Sequence, residues 1–176
     1  MKTIRPYFSI LLVLTLVLGV GCTSLFQTSE PDVDPAEVAG TYDIHHFEFV
    51  PLSSALEPIN LLEYVQDEGS SLKLTESQDF VLTYETENGE EVTLVGPFDL
   101  SPDTVTLKGQ DKDEARFQRI LLDRTLSLNR ESSNTLSFEH QTEISPEALS
   151  SWYEGMNQVE GTLRLEFIQR NEKSLK

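Results

Sequence analysis

Asp43-Ile44-His45-His46-Phe47-Glu48 is the densest run of metal-ligand types in the 176-residue chain. Zinc takes four donors in a tetrahedron, usually imidazole, thiolate or carboxylate. In an extended strand, neighbours point to opposite faces, so His45 and His46 converge only across a bulge. The apolar phase does slip here: Tyr42 and Ile44 share one face, Phe47 and Phe49 the other. A bulge is therefore expected. Two histidines and a carboxylate, with no third histidine nearby, still fall short of a zinc set. We read the pair as surface or bulge histidines. His140 is alone at the end of an alternating run and reads as solvated. Asp111-Lys112-Asp113-Glu114 and Asp32-Val33-Asp34 offer oxygen donors suited to calcium. A charged turn explains the first. The second lacks the Gly turn and closing Glu of an EF-hand and reads as a solvated linker. No metal and no cofactor is expected.

Catalytic sets are equally thin. No Gly-x-Ser-x-Gly marks a nucleophile elbow, and no glycine-rich loop waits for phosphate. Carboxylate neighbours such as Glu90-Glu91 carry no information in a chain with 30 Asp+Glu. Trp152 and Tyr153 suit either an exposed recognition patch or, more simply, a helix docked by its aromatics. The expectation is a protein that is not an enzyme.

Charge excludes another class. The 13 Lys+Arg against 30 Asp+Glu leave a formal net charge of -17. Phosphate backbones need a basic footprint, so nucleic acid is not an expected partner. The acids are scattered and lysine is scarce. Such a surface is either a solubility device or an adaptation to a halophilic, high-salt habitat, where self-repulsion is screened.

The elements that must position these residues alternate with a period of two. Gly40–Val50 is rich in β-branched and aromatic residues. Leu72 and Leu74 follow, then Phe80, Leu82 and Tyr84, then Val92 and Leu94, then Val105 and Leu107. Arg116–Leu122 and Thr125–Leu128 read as a hairpin or one bent strand. Leu136 and Phe138, then Leu163, Leu165 and Phe167, complete the set. Asn88-Gly89 is a strong hairpin signal, and Ser101-Pro102-Asp103 and Glu131–Asn134 are tight turns. The reading is all-β: an antiparallel up-and-down meander of eight or nine strands, closed into a barrel that hides its edges. Two segments break the period. Ile59, Leu62 and Val65 recur at near-helical spacing within Pro51–Gly69, with Asn60 or Ser54 as caps. Ser145–Asn157 opens with Ser-Pro-Glu and suits a short helix with Pro at N1.

The N-terminus carries an address. Lys2 and Arg5 precede an almost wholly apolar run, Tyr7–Val20, too short for the roughly 20 residues of a membrane-spanning helix and apt for a signal-peptide core. It ends at Gly19-Val20-Gly21-Cys22, where the only cysteine falls. This resembles the lipobox of bacterial lipoproteins, with Gly19 where that family more often has a larger aliphatic. The resemblance implies that residues 1–22 are a signal peptide and that Cys22 is lipidated, with acyl chains such as palmitate. Two chains suffice for stable anchoring. Residues 23–37, polar and marked by Pro31 and Pro35, read as a tether, and 38–176 as the barrel domain. Thr23 after the cysteine resembles the outer-membrane sorting habit of enteric lipoproteins. The expected location is the cell envelope, lipid-anchored, with the outer membrane favoured and the face left open.

Ala39-Gly40-Thr41-Tyr42, the hairpin Leu72–Tyr84, Gly96–Leu107 and the late Gly161–Phe167 together resemble the lipocalin-like domain of bacterial lipoproteins, over about residues 38–170. The lipocalin G-x-W element corresponds to Gly40-Thr41-Tyr42, with tyrosine in place of tryptophan. The family's arginine that packs across that ring corresponds to Arg164 or Arg170. The resemblance implies a barrel that binds a small apolar or amphipathic ligand, under a lid at Pro51–Gly69. Tyr42, Tyr84 and Arg164 are the expected ligand-binding handles, chosen by facing. Many inward residues are bulky, however. The alternative is a filled barrel that binds a protein partner through its loops.

Overall fold

In a computed structural model, the described residues are 33–65, 69–86, 89–144, 153, 156 and 158–171. Cys22, the leader and most of the tether lie outside them. So does the expected helix Ser145–Asn157, apart from Tyr153 and Met156. Val33–Lys176 forms one compact unit.

Nine antiparallel strands follow in chain order: β1 (Gly40–Pro51), β2 (Ile59–Asn60), β3 (Ser71–Leu74), β4 (Asp79–Glu85), β5 (Glu91–Leu100), β6 (Thr104–Lys108), β7 (Thr125–Ser132), β8 (Thr135–Ile144) and β9 (Val159–Gln169). From β3 to β9 each strand pairs with the next. β1 pairs with β3 on one side and with β9 on the other, which closes an eight-stranded barrel. β2 is an addition, set against Glu48 and Phe49 on the β3 side of β1. The all-β meander read from the sequence is the architecture.

β1 shows how the period is kept. Its register with β9 shifts between Ile44 and His46. Tyr42 and Ile44 face the core before the shift, and Phe47 and Phe49 face it after. The bulge moves the strand by one residue so that both halves bury their aromatics. Elsewhere strict alternation suffices, as in β5, where Val92, Leu94, Gly96 and Phe98 are the buried set. The β4–β5 turn closes through Gly89 at φ 76, a left-handed conformation that glycine adopts without steric cost.

Two expectations are corrected. Arg116–Leu122 is not a strand. Glu114–Arg119 is a short helix, α1, preceded by a 3-10 turn at Asp111–Asp113. Phe117, Ile120 and Leu122 are buried from this segment at one end of the barrel. Pro51–Val65 forms no helix. Ile59 pairs across to Phe49, and Asn60 accepts the Leu62 N–H at 3.1 Å as a cap does, but only the single turn Leu61–Val65 follows, closed by the Val65 N–H on the Leu61 carbonyl at 3.2 Å. Thr75–Gln78, Ser101–Asp103 and Ser133-Asn134 turn at the end where the chain enters, here the near end. The Pro51–Val65 strap and α1 lie at the far end.

Candidate functional site

The near end is plugged by the chain's own entry segment. Asp34 caps a 3-10 turn at Pro35–Glu37, accepting the Ala36 N–H at 3.0 Å. The buried Tyr42 hydroxyl donates to the Val38 carbonyl at 2.8 Å. Arg130 donates to Glu37 and to the Pro102 carbonyl, each at 3.1 Å, and so ties the entry segment to a β5–β6 turn. Burial raises the Tyr42 pKa, and the positive charge of Arg130 partly opposes that. The cation felt by this ring is thus Arg130 of β7, a residue that the sequence reading missed. Arg170 instead reaches Asp43 on the barrel's outside.

The far end is latched by two tyrosines. Tyr84 donates to the Arg116 carbonyl at 2.9 Å, joining β4 to α1. Its pKa is also raised, first by burial, with Arg119 and Arg116 acting in the opposite sense. Tyr153 donates to the Glu57 carbonyl at 2.8 Å and meets Phe49 edge-on at 6.5 Å. Burial raises its pKa too. Asp113, the most buried acid of the described residues, holds Arg116 at 3.2 Å.

The three expected ligand handles do not converge. Tyr42 spends its hydroxyl at the near end and Tyr84 at the far end. Arg164 is exposed on the outer face of β9, between Glu48 at 3.4 Å and Glu139 at 3.6 Å. Leu163 and Leu165 are its inward neighbours, so a period of two puts Arg164 outside. His46 lies 3.1 Å from Glu48 in the same outer row, and His45 is exposed at the bulge. Among the described residues, no three metal-ligating side chains come together. His140 is mid-strand in β8 and exposed, rather than at a strand end.

Between the two ends, side chains of the described residues pack against one another. Leu72, Phe80, Leu94, Val105, Leu126 and Phe167, drawn from six strands, each have 0% of their surface exposed. A void able to hold even one water would give its lining side chains exposed surface. These side chains therefore line none. Phe138 is half-buried, alone among the core residues expected from the alternation. Two hollows lined by described residues are open to solvent. About 340 Å³ lies at the far end by Leu56, Pro58, Glu63 and Tyr153. About 570 Å³ lies at the near end by Thr41, Lys73, Gln169 and Arg170.

No protein-family model matches the chain, and no curated protein matches it. Among solved structures, the chain is similar to a lipocalin-like protein from Bacteroides uniformis ATCC 8492. That similarity has a TM-score of 0.46 and 11% identity, over 76% of this chain and 99% of that one. The barrel assignment rests on the chain's own strand pairing.

Proposed function

We propose that this chain is a lipoprotein of the cell envelope, acylated at Cys22, whose lipocalin-like barrel is a non-catalytic interaction module with a filled interior. The observation that carries the reading is the packing. Side chains from six strands meet in the barrel with 0% exposed surface. A small-molecule pocket has a volume of about 300–1,000 Å³ and buries most of its ligand. A ligand of that size inside this barrel would have to part the core, at the cost of the contacts that stabilise it. The hydroxyls expected to greet a ligand are already bonded to Val38 and Arg116. What remains free to act is the outside: loops, strand edges and a strongly acidic surface.

Support for the anchor comes from the leader: an apolar run of signal-peptide length, small residues and then the single cysteine. The acyl chains on Cys22 would attach the protein to a membrane, outer by preference. Anionic lipid repels a chain with net charge -17, so the acyl chains and not the domain would hold it there.

Two measurements test this together. Radiolabelled palmitate should enter the full-length chain and be lost in Cys22→Ser. A fluorescent fatty acid titrated into the purified protein should show no saturable one-to-one binding. Saturable binding that Leu94→Phe abolishes would instead establish the barrel as a carrier of apolar cargo.

A further inference from the structure

The barrel wall has a seam. β8 is paired with β9 along its whole length, from Thr135 opposite Ile168 to Ile144 opposite Val159. On its other side only Thr135, Leu136 and Ser137 meet β7. β7 stays with β6 down to Thr125, but its residues before Asn129 have no partner on β8. The register of β7–β8 shifts between Arg130 and Ser132, and such a bulge bends its strand and tightens the local twist. From Phe138 to Ile144, no strand, loop or turn of the described residues hydrogen-bonds that edge. Alternate residues of that edge therefore have N–H and C=O groups with no backbone partner among the described residues.

Two observations show that the seam is open to solvent. His140 stands in the inward row of β8, directly opposite the buried Leu163, yet it is exposed. Phe138, one step along the same row, is half-buried. A groove of about 380 Å³ continues the seam between the Gln118–Asp123 turn and Thr142–Ile144.

The charge around the seam is one-sided. Glu143 lies directly opposite Glu160 on the outer face. Like charges opposed across strands are destabilising. Asp123 lines the groove as well. Among the described residues, none of these three acids has an ion pair, whereas Glu139 has Arg164.

We propose that the Phe138–Ile144 edge of β8 accepts an extended, basic segment of a partner protein as an added strand. Main-chain hydrogen bonds to the open edge would hold it. Its lysines or arginines would neutralise Glu143, Glu160 and Asp123. A second copy of this chain does not fit, because two such edges would bring the same acids together; acids on an edge guard against self-pairing. This inference rests on the interaction reading above and names the kind of partner.

The test uses the full-length chain in neutral detergent micelles and amide hydrogen exchange. Three ten-residue probes are compared: alternating Lys-Thr, alternating Glu-Thr, and Lys-Thr N-methylated at every second residue. In the free protein, alternate amides of 138–144 should exchange fast. The Lys-Thr probe should slow them, and the other two should not. Glu143→Lys should weaken the Lys-Thr probe by about fivefold while leaving the domain at least as stable, since it removes the clash with Glu160. The proposal is overturned if every β8 amide is already protected in the free chain. It is overturned equally if the N-methylated probe binds as well as its parent, or if added protein at high concentration protects the edge by dimerising. A bare barrel with no Lys-Thr binding would sink this edge but spare the interaction reading. Apolar cargo in the barrel would do the reverse.

Discussion

Leu94→Ala separates a filled barrel from a hollow one. Leu94 sits in the middle of β5, opposite Leu82, with 0% of its surface exposed. The substitution removes three carbons. At about 0.8 kcal/mol per buried methylene-sized group, the transfer loss is about 2.4 kcal/mol. A packed surround relaxes only partly, so a residual cavity adds to that loss, and buried Leu→Ala changes cost about 2–5 kcal/mol in all. We expect about 3–4 kcal/mol here, because its cross-strand neighbour Leu82 is itself buried in the core. Urea unfolding at fixed salt gives the number from the shift in midpoint, provided the slope is unchanged. The variant should also gain a xenon or benzene site that the parent lacks, since apolar cavities of this kind stay dry and take such ligands. A loss below about 1.5 kcal/mol, or xenon uptake by the parent at the same site, would refute the packing argument.

Three further outcomes follow from single residues and from charge. Gln78 adopts φ 62 in the exposed β3–β4 turn, so Gln78→Gly should stabilise the domain by about 0.5–1 kcal/mol, read as a rise in urea midpoint. Tyr42, Tyr84 and Tyr153 have raised pKa values, each chiefly through burial. Above about pH 10 the unfolded chain releases those protons and the folded chain keeps them, so stability should fall as pH rises from there. Tyrosine absorbance should then show phenolate appearing in step with the loss of ellipticity, and free titration before unfolding would contradict the buried hydroxyls. Finally, a net charge of -17 should make thermal stability rise as sodium chloride goes from 0.01 to about 1 M, because the Debye length shrinks from about 30 to about 3 Å.

The alternation of apolar residues made most of the barrel legible before any coordinates. Leu72 and Leu74, or Leu163, Leu165 and Phe167, occupy one face as a period of two requires. Even the bulge in β1 was written in the phase slip between Ile44 and Phe47. The same rule places Arg164 outside, so its choice as a handle went against its own neighbours. α1 was misread because a short apolar run does not declare its geometry. Its signal was present, since Phe117, Ile120 and Leu121 recur at helical spacing among strong helix formers. Ile59, Leu62 and Val65 mislead in the other direction. There the pairing of Ile59 with Phe49 holds the start extended, and only one turn, Leu61–Val65, follows the helical spacing. Arg130 could not have been found at all. Its role depends on Glu37 and Pro102, which only the closed barrel brings to it.

The most direct test of the central claim is a native mass spectrum of the protein purified from its own envelope, taken before and after challenge with a lipid extract of that envelope. The filled barrel requires the mass of the acylated polypeptide alone in both spectra. A stoichiometric increment beyond the anchor, lost on denaturation, would contradict it and make this protein a carrier.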